Sequence, residues 1–311
     1  MTVALHGARV LVTGGRGFLG KHVCDAVRAR GGLPIAVGRT DCDLRNPVAT
    51  IEYMRDQRPD YVVHAAAVGG GIGWMKEHPA TALAGNVLVN TSVFEACRDI
   101  GVRRVVGVSS ACAYAREAPQ PMDESTLFIG EPEPTNGPYG HAKRLMMMHG
   151  RALHQEFGLD CAFVVPTNLY GPGESFDPQR AHVVGALVRR FEEARVAGAA
   201  EVTCWGSGRA TRDLLYAPDA AEGILDLLEV GGAPDPVNLG SGVERRIAEI
   251  AAAVATAVGY AGDIRWDPER PDGMPRKVLA TGRMLALTGW APRTEFAAGL
   301  QATVACFRSS T

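Results

Sequence analysis

The sequence predicts an α/β fold, a doubly wound parallel sheet with a smaller mixed α/β lobe toward the C-terminus. Three observations predict it. The first half alternates short, continuously apolar runs with helical patterns. A glycine-rich turn joins the first apolar run directly to the first helix. The second half breaks into helices separated by Gly/Pro-rich pieces. Continuously apolar strands are covered on both faces, and each parallel crossover needs a helix.

In chain order, 8–13 reads as a strand and 17–30 as a helix, 33–38 as a strand and 47–57 as a helix. A strand at 61–66 leads to a long helix over 79–100, then a strand at 103–109, a helix at 137–157 and a strand at 160–166. Helices near 180–195, 217–230, 247–258 and 295–307 follow, with breaks such as Trp205–Gly208 and Pro268–Pro275. This order predicts a Rossmann-type first lobe of residues 1–167, to which about 209–241 returns. The remaining residues, about 168–208 and 242–311, form the smaller lobe. Such sheets bind ligands at the carboxyl ends of their strands.

The bulk composition excludes several classes. A formal charge of −2 draws the chain to neither nucleic acid nor an anionic membrane. No apolar run reaches the roughly 20 residues that span a bilayer, and Met1 to Arg9 does not read as a signal peptide. The cysteines at 24, 42, 97, 112, 161, 204 and 306 form no CxxC pair, so neither a metal site nor a disulfide framework is expected. The expectation is a cytoplasmic enzyme.

The first strand runs into Thr13-Gly14-Gly15-Arg16-Gly17-Phe18-Leu19-Gly20 and straight into a helix. Glycines at 14, 17 and 20 allow a tight turn, close approach to a pyrophosphate and helix–strand packing. The helix N-terminus adds unpaired N–H donors. The spacing is GxxGxxG, and its place inside a βαβ unit makes it a dinucleotide signal. The second strand ends in Gly38-Arg39-Thr40 with no carboxylate at its tip. Arg39 and Arg16 suit a 2′-phosphate through charge-assisted bonds, which favours NADP over NAD. Asp43 is free to face the adenine amino group. Arg39 also fits a solvated surface arginine.

The fourth strand delivers Ser109-Ser110-Ala111-Cys112-Ala113-Tyr114, and the next helix carries Tyr139-Gly140-His141-Ala142-Lys143. Tyr139 and Lys143, at i and i+4, share one helix face. A nearby ammonium lowers a phenol's pKa, so Tyr139 is expected to donate a proton to a carbonyl receiving hydride, with Ser110 orienting the same oxygen.

Glycine turn, strand-end serine and YxxxK together resemble the extended short-chain dehydrogenase/reductases that act on sugar nucleotides. Within them, the GDP-L-fucose synthase family is resembled by Gly70-Gly71-Ile72-Gly73, Gln120-Pro121-Met122, Glu133-Pro134-Thr135-Asn136, Pro166-Thr167-Asn168-Leu169-Tyr170-Gly171-Pro172, Trp205-Gly206-Ser207-Gly208 and Pro271-Asp272-Gly273-Met274-Pro275-Arg276-Lys277. The resemblance implies epimerisation at C3 and C5 of GDP-4-keto-6-deoxy-D-mannose, then reduction of its C4 ketone with NADPH, by a homodimer. It implies Cys112 and His182 as the epimerisation base and acid, and a nucleotide grip by Arg190, Trp205, Arg212 and Lys277. Cofactor contacts are implied for Phe18, Leu19, Leu44, Ala65, Ala66, Lys143, Pro166, Leu169 and His182, with Asn168 meeting both cofactor and substrate.

Taken alone, Cys112 fits a small buried hydrophobe, His182 a structural histidine, Arg190 a solvated helix face and Arg212 an ion-pair partner of Asp213. The sequence also departs from the family. Its SSCxYP pattern becomes Ser110-Ala111-Cys112-Ala113-Tyr114-Ala115 with Ser109 before it, and Trp74-Met75-Lys76 follows the GGIG segment. A related keto-sugar, such as a GDP-linked heptose, is therefore a further substrate reading. Two other functions fit the fold: an epimerase recycling a tightly held NAD, and a non-catalytic dinucleotide-binding module.

Overall fold

The computed structural model describes residues 3–178, 180–231, 234–270 and 272–310. Its main sheet is six-stranded, in the order β2-β1-β3-β4-β5-β9, and every pairing is parallel. The strands are β1 (Arg9–Thr13), β2 (Leu33–Val37), β3 (Tyr61–His64), β4 (Arg104–Val108), β5 (Cys161–Pro166) and β9 (Pro236–Leu239). Strands β2 and β3 flank β1, so the connections after β1 and after β2 leave in opposite directions. A crevice opens there at the carboxyl ends.

The apolar runs work because successive side chains point to opposite faces. Val10, Val12, Val63, Val106 and Val164 pack on one face under α1 (Phe18–Ala29) and α7 (Ala217–Val230). Leu11, Val62, Val105, Phe163 and Val165 pack on the other. That face is covered by α2 (Pro47–Gln57), α4 (Pro79–Ile100) and α5 (Gly137–Phe157), with the short α3 (Ile72–Glu77) preceding α4. The predicted doubly wound sheet is present.

The second half contains short strands that the sequence reading did not separate. β8 (Thr211–Tyr216) pairs with β6 (Asn168–Tyr170), β10 (Glu244–Arg246) and β12 (Arg276–Lys277), while β7 (Glu201–Trp205) pairs with β11 (Asp263–Asp267). A third core cluster joins α6 (Val183–Val196), α8 (Ile247–Val258) and α10 (Phe296–Ser310). The helix α9 (Gly282–Thr288) places Met284 in the cluster under α7. Segment 209–241 crosses between the sheets: β8 lies in the small one, whereas α7 and β9 lie on the large one. Among the described residues, no helix is long and apolar enough to cross a membrane.

Candidate active site

The glycine turn sits where β1 meets α1. Gly14 has φ +69°, and a Cβ there would meet the Ala66 backbone at 3.0 Å. A Cβ on Gly20 would collide with the Gly14 carbonyl. Gly17 caps α1 in an extended conformation with no side-chain cap, so the first-turn N–H groups keep their capacity to bind an anion. Thr13 Oγ1 accepts the Ala66 N–H at 3.1 Å and lies 2.7 Å from His64 Nδ1. His64 Nε2 lies 2.9 Å from Asn90 Oδ1, and Asn90 Nδ2 donates to the Ala142 carbonyl on α5 at 3.2 Å. A neutral His64 that donates from Nε2 satisfies these partners. Burial, and after it the Lys143 ammonium, hold the imidazole down to about 3.

At the tip of β2 the structure corrects one expectation: a carboxylate is present. Asp41 turns back to accept the Gly38 N–H at 2.8 Å, and both its oxygens pair with Arg16, at 2.6 and 2.8 Å. The Gly38 bond, and Arg16 with it, hold the Asp41 carboxyl below its usual range. Asp41 is thereby neutralised, leaving Arg39 exposed, with no ion-pair partner among the described residues. Asp43 is bound to Arg45 at 2.9 Å through both oxygens. Leu44 is buried in the core, and Phe18 and Leu19 begin α1. Ala65 donates its N–H to the Thr13 carbonyl at 3.2 Å. Pro166 ends β5, and Asn168 and Leu169 open β6. An uncapped helix start, glycines that admit no Cβ and a net cation at the strand tip fit a phosphorylated nicotinamide dinucleotide.

Ser110 caps a one-turn 3₁₀ helix (Ala111–Ala113), and its hydroxyl accepts the Cys112 N–H at 3.2 Å. The α5 helix is pressed against this turn. A Cβ on Gly140 would strike the Cys112 carbonyl, and Arg144 donates to the Ala113 and Gly130 carbonyls, each at 2.7 Å. Lys143 is 2% exposed. Its ammonium donates to the Val108 carbonyl at 2.7 Å and lies 5.6 Å from the centre of the Tyr139 ring. The Ser110 side chain stands beside the Tyr139 phenol.

The expected lowering of the tyrosine pKa is corrected. Burial pushes the phenol well above its ordinary range, charge on Cys112 adds to this, and the Ser110 side chain opposes it. Lys143 donates to Val108, and its own burial lowers it to about 8.

Lys277, on β12, donates to Cys112 Sγ at 3.4 Å, so it serves the thiol in this structure. The side chain of Asn136 donates to the same sulfur at 3.1 Å. His182 is the N-cap of α6, two residues after the expected helix start near 180, because its ψ of 179° is extended. Desolvation, then the Lys277 charge, hold its imidazole below its usual range. Arg190 donates to the Thr203 carbonyl at 2.8 Å and lies 5.8 Å from the centre of the exposed Trp205 ring, with Arg270 5.4 Å from that ring. Arg212 donates to the Thr211 and Met274 carbonyls at 2.7 Å, not to Asp213, which accepts from Ser241 and Gly242. Of the 271–277 stretch, Pro271 lies outside the described residues. Trp74, on α3, stacks on His78 with ring centres 4.9 Å apart.

Residues 10–240 match the NAD dependent epimerase/dehydratase family. The chain belongs to this family. It is 35% identical over 297 residues to GDP-L-fucose synthase 1 of Arabidopsis thaliana, covering 95% of this chain and 92% of that protein. It is 34% identical over 309 residues to the GDP-L-fucose synthase of Escherichia coli strain K12, covering 96% of each. Among solved structures, the GDP-L-fucose synthetase of Naegleria fowleri bound to NADP superposes with a TM-score of 0.89 at 28% identity, covering 100% of this chain and 96% of that one. The resemblance to the GDP-L-fucose synthases therefore runs along nearly the whole chain.

Several residues of this epimerase/dehydratase family member escaped the sequence reading as site residues. Asp41 follows the strand tip, and an Asp three residues after Gly38 is a ready acceptor for that N–H. Gly140 and Arg144 lay in view beside the YxxxK pair, and a glycine inside a helix is a signal of close packing. Asn136 enters only within the family stretch Glu133-Pro134-Thr135-Asn136, with no role of its own.

Proposed function

We propose that this chain epimerises a GDP-linked 4-keto-6-deoxy sugar and reduces it with NADPH, converting GDP-4-keto-6-deoxy-D-mannose to GDP-L-fucose. The observation that carries the reading is a meeting at the end of β4. Ser110, Tyr139 and Lys143 stand there beside Cys112, and Lys277 links that thiol to the surroundings of His182.

NADPH bound along the glycine turn supplies the hydride. Ser110 orients the ketone oxygen. Tyr139, held above its usual pKa, keeps its proton at neutral pH and delivers it to that oxygen. Lys143 maintains positive charge beside the ring. Protons on carbons next to a ketone are acidified, so Cys112 removes one and His182 returns one from the opposite side. Asn168 faces cofactor and sugar, while Trp205, Arg190 and Arg212 line the nucleotide half.

In this reading the large sheet, with α7 and β9, is the NADP-binding lobe, and the chain beyond 168 otherwise forms the sugar-nucleotide lobe. Seven free cysteines support work in the cytosol. Exposed Leu83 and Leu88 on α4, with Leu145 and Met148 on α5, support a homodimer through these helices.

The test is a screen of GDP-keto-sugars, heptose derivatives included, against NADPH and NADH, with product stereochemistry read by NMR. GDP-4-keto-6-deoxy-mannose should consume NADPH, and in heavy water without NADPH it should take up deuterium at C3 and C5. Cys112→Ser should abolish exchange yet spare reduction of a pre-epimerised substrate, and Tyr139→Phe should do the reverse. Bound NAD that co-purifies, with no net NADPH use, would replace this reading with a recycling epimerase.

A further inference from the structure

Asn136 occupies the N-cap of α5, where an asparagine side chain ordinarily accepts a first-turn N–H and stabilises the helix by about 1 kcal/mol. It makes no such bond. Its Nδ2 points to Cys112 Sγ at 3.1 Å, and its buried Oδ1 has no partner among the described residues. Lys277 delivers its ammonium to the same sulfur at 3.4 Å. It is held in place from both sides. The Val278 N–H donates to Gln120 Oε1 at 3.0 Å, and Arg276 pairs with Glu244 at 2.7 Å. A neutral thiol is a weak acceptor, whereas a thiolate binds N–H donors strongly. Two anchored donors, one of them cationic and the other giving up a helix cap, are matched to a negative sulfur.

We infer that Asn136 and Lys277 form a two-donor cradle that holds Cys112 as the thiolate. This rests on the reading of Cys112 as the epimerisation base, and it makes both donors positioning residues that act through the sulfur. The titratable groups around the sulfur are Tyr139 from α5, Lys277 from β12 and, beyond Lys277, His182 at the start of α6. In the proton step the thiolate takes a proton from the carbon next to the ketone. An S–H bond forms, the C–H bond breaks, and its electron pair moves onto the ketone oxygen as an enolate. The Cys112 charge also opposes ionisation of Tyr139, so one sulfur prepares a base for epimerisation and keeps an acid ready for reduction.

The experiment measures iodoacetamide alkylation of Cys112 in the full-length protein from about pH 5 to about pH 10, read on the Cys112 peptide by mass spectrometry. Lys277→Met and Asn136→Ala should each slow alkylation near neutral pH by about tenfold and move its midpoint up by about one unit. Lys277→Arg should restore most of the wild-type profile, and Asn136→Asp, isosteric but anionic, should shift the midpoint further than Asn136→Ala. Unchanged midpoints in Lys277→Met and Asn136→Ala overturn the cradle. Deuterium uptake by the keto-sugar is measured in parallel. If the midpoints move while even the wild type exchanges no deuterium, the cradle stands and the epimerase reading falls.

Discussion

The Lys143 ammonium is hydrogen-bonded to the Val108 carbonyl at 2.7 Å and stands 5.6 Å from the centre of the Tyr139 ring, so the catalytic helix is tied directly to the end of β4. Burial lowers this lysine to about 8, so it loses its charge as pH rises through that value. Ketone reduction should therefore fall on the alkaline side with a midpoint near 8, measured as NADPH oxidation on a pre-epimerised substrate. Lys143→Met should lower kcat by about 10²-fold or more at all pH values. A flat alkaline limb would separate the lysine charge from reduction.

Arg39 and Arg16 carry different parts of the cofactor preference. Removing a charge-assisted hydrogen bond costs about 1.5–3 kcal/mol, so Arg39→Ala should raise KM for NADPH by about tenfold or more while leaving NADH unaffected. Arg16→Ala removes the partner of Asp41 and leaves an uncompensated carboxylate at the tip of β2. That variant should lose NADPH affinity and gain NADH affinity, since a free acid suits a ribose hydroxyl and repels a phosphate. Initial rates with both cofactors check the pair.

Gly140 sits where α5 approaches the catalytic turn most closely. An added Cβ meets the Cys112 carbonyl and comes within 3.0 Å of Pro132 Cβ, so the backbone has to move. Gly140→Ala should cost about 1–3 kcal/mol and depress deuterium exchange and ketone reduction together, because Ser110, Cys112 and Tyr139 share that contact. Thermal melts with both partial assays check it. Loss of only one activity would show that the turn and the helix move independently.

Glu174 is 4% exposed, and neither carboxyl oxygen has a hydrogen-bond partner among the described residues. Burial raises it to about 8, against some pull from the backbone of Gly185 and Gly171. A carboxyl whose folded pKa lies above its unfolded value of about 4.3 stabilises the fold at low pH. That stabilisation is lost as pH rises through the folded value, about 8. Glu174→Gln keeps the shape and removes the titration. Its melting temperature should gain on the wild type between about pH 5 and about pH 8, by about 2–4 °C for each kcal/mol. A difference independent of pH would contradict a buried, titrating Glu174.

Much of the architecture was legible because it is local. The turn at Gly14, the helix starting at Phe18 and the apolar runs of β1, β3, β4 and β5 each encode their own geometry in neighbouring residues. The spacing of Tyr139 and Lys143 places both on one face of α5. The short strands β6, β8, β10 and β12 were not legible, since two to six residues carry no reliable period and take their form from pairing with one another.

The sequence by itself determined a doubly wound sheet, a glycine turn for a dinucleotide and a Ser/Tyr/Lys set, all written in contiguous residues. Only the tertiary structure decided that Asp41 neutralises Arg16 and that Asn136 turns from its helix to a thiol. It alone decided that Lys277 reaches Cys112 across 165 positions of chain. Such contacts depend on how separate elements pack, and loop closure brings distant residues together without leaving any periodicity in the sequence.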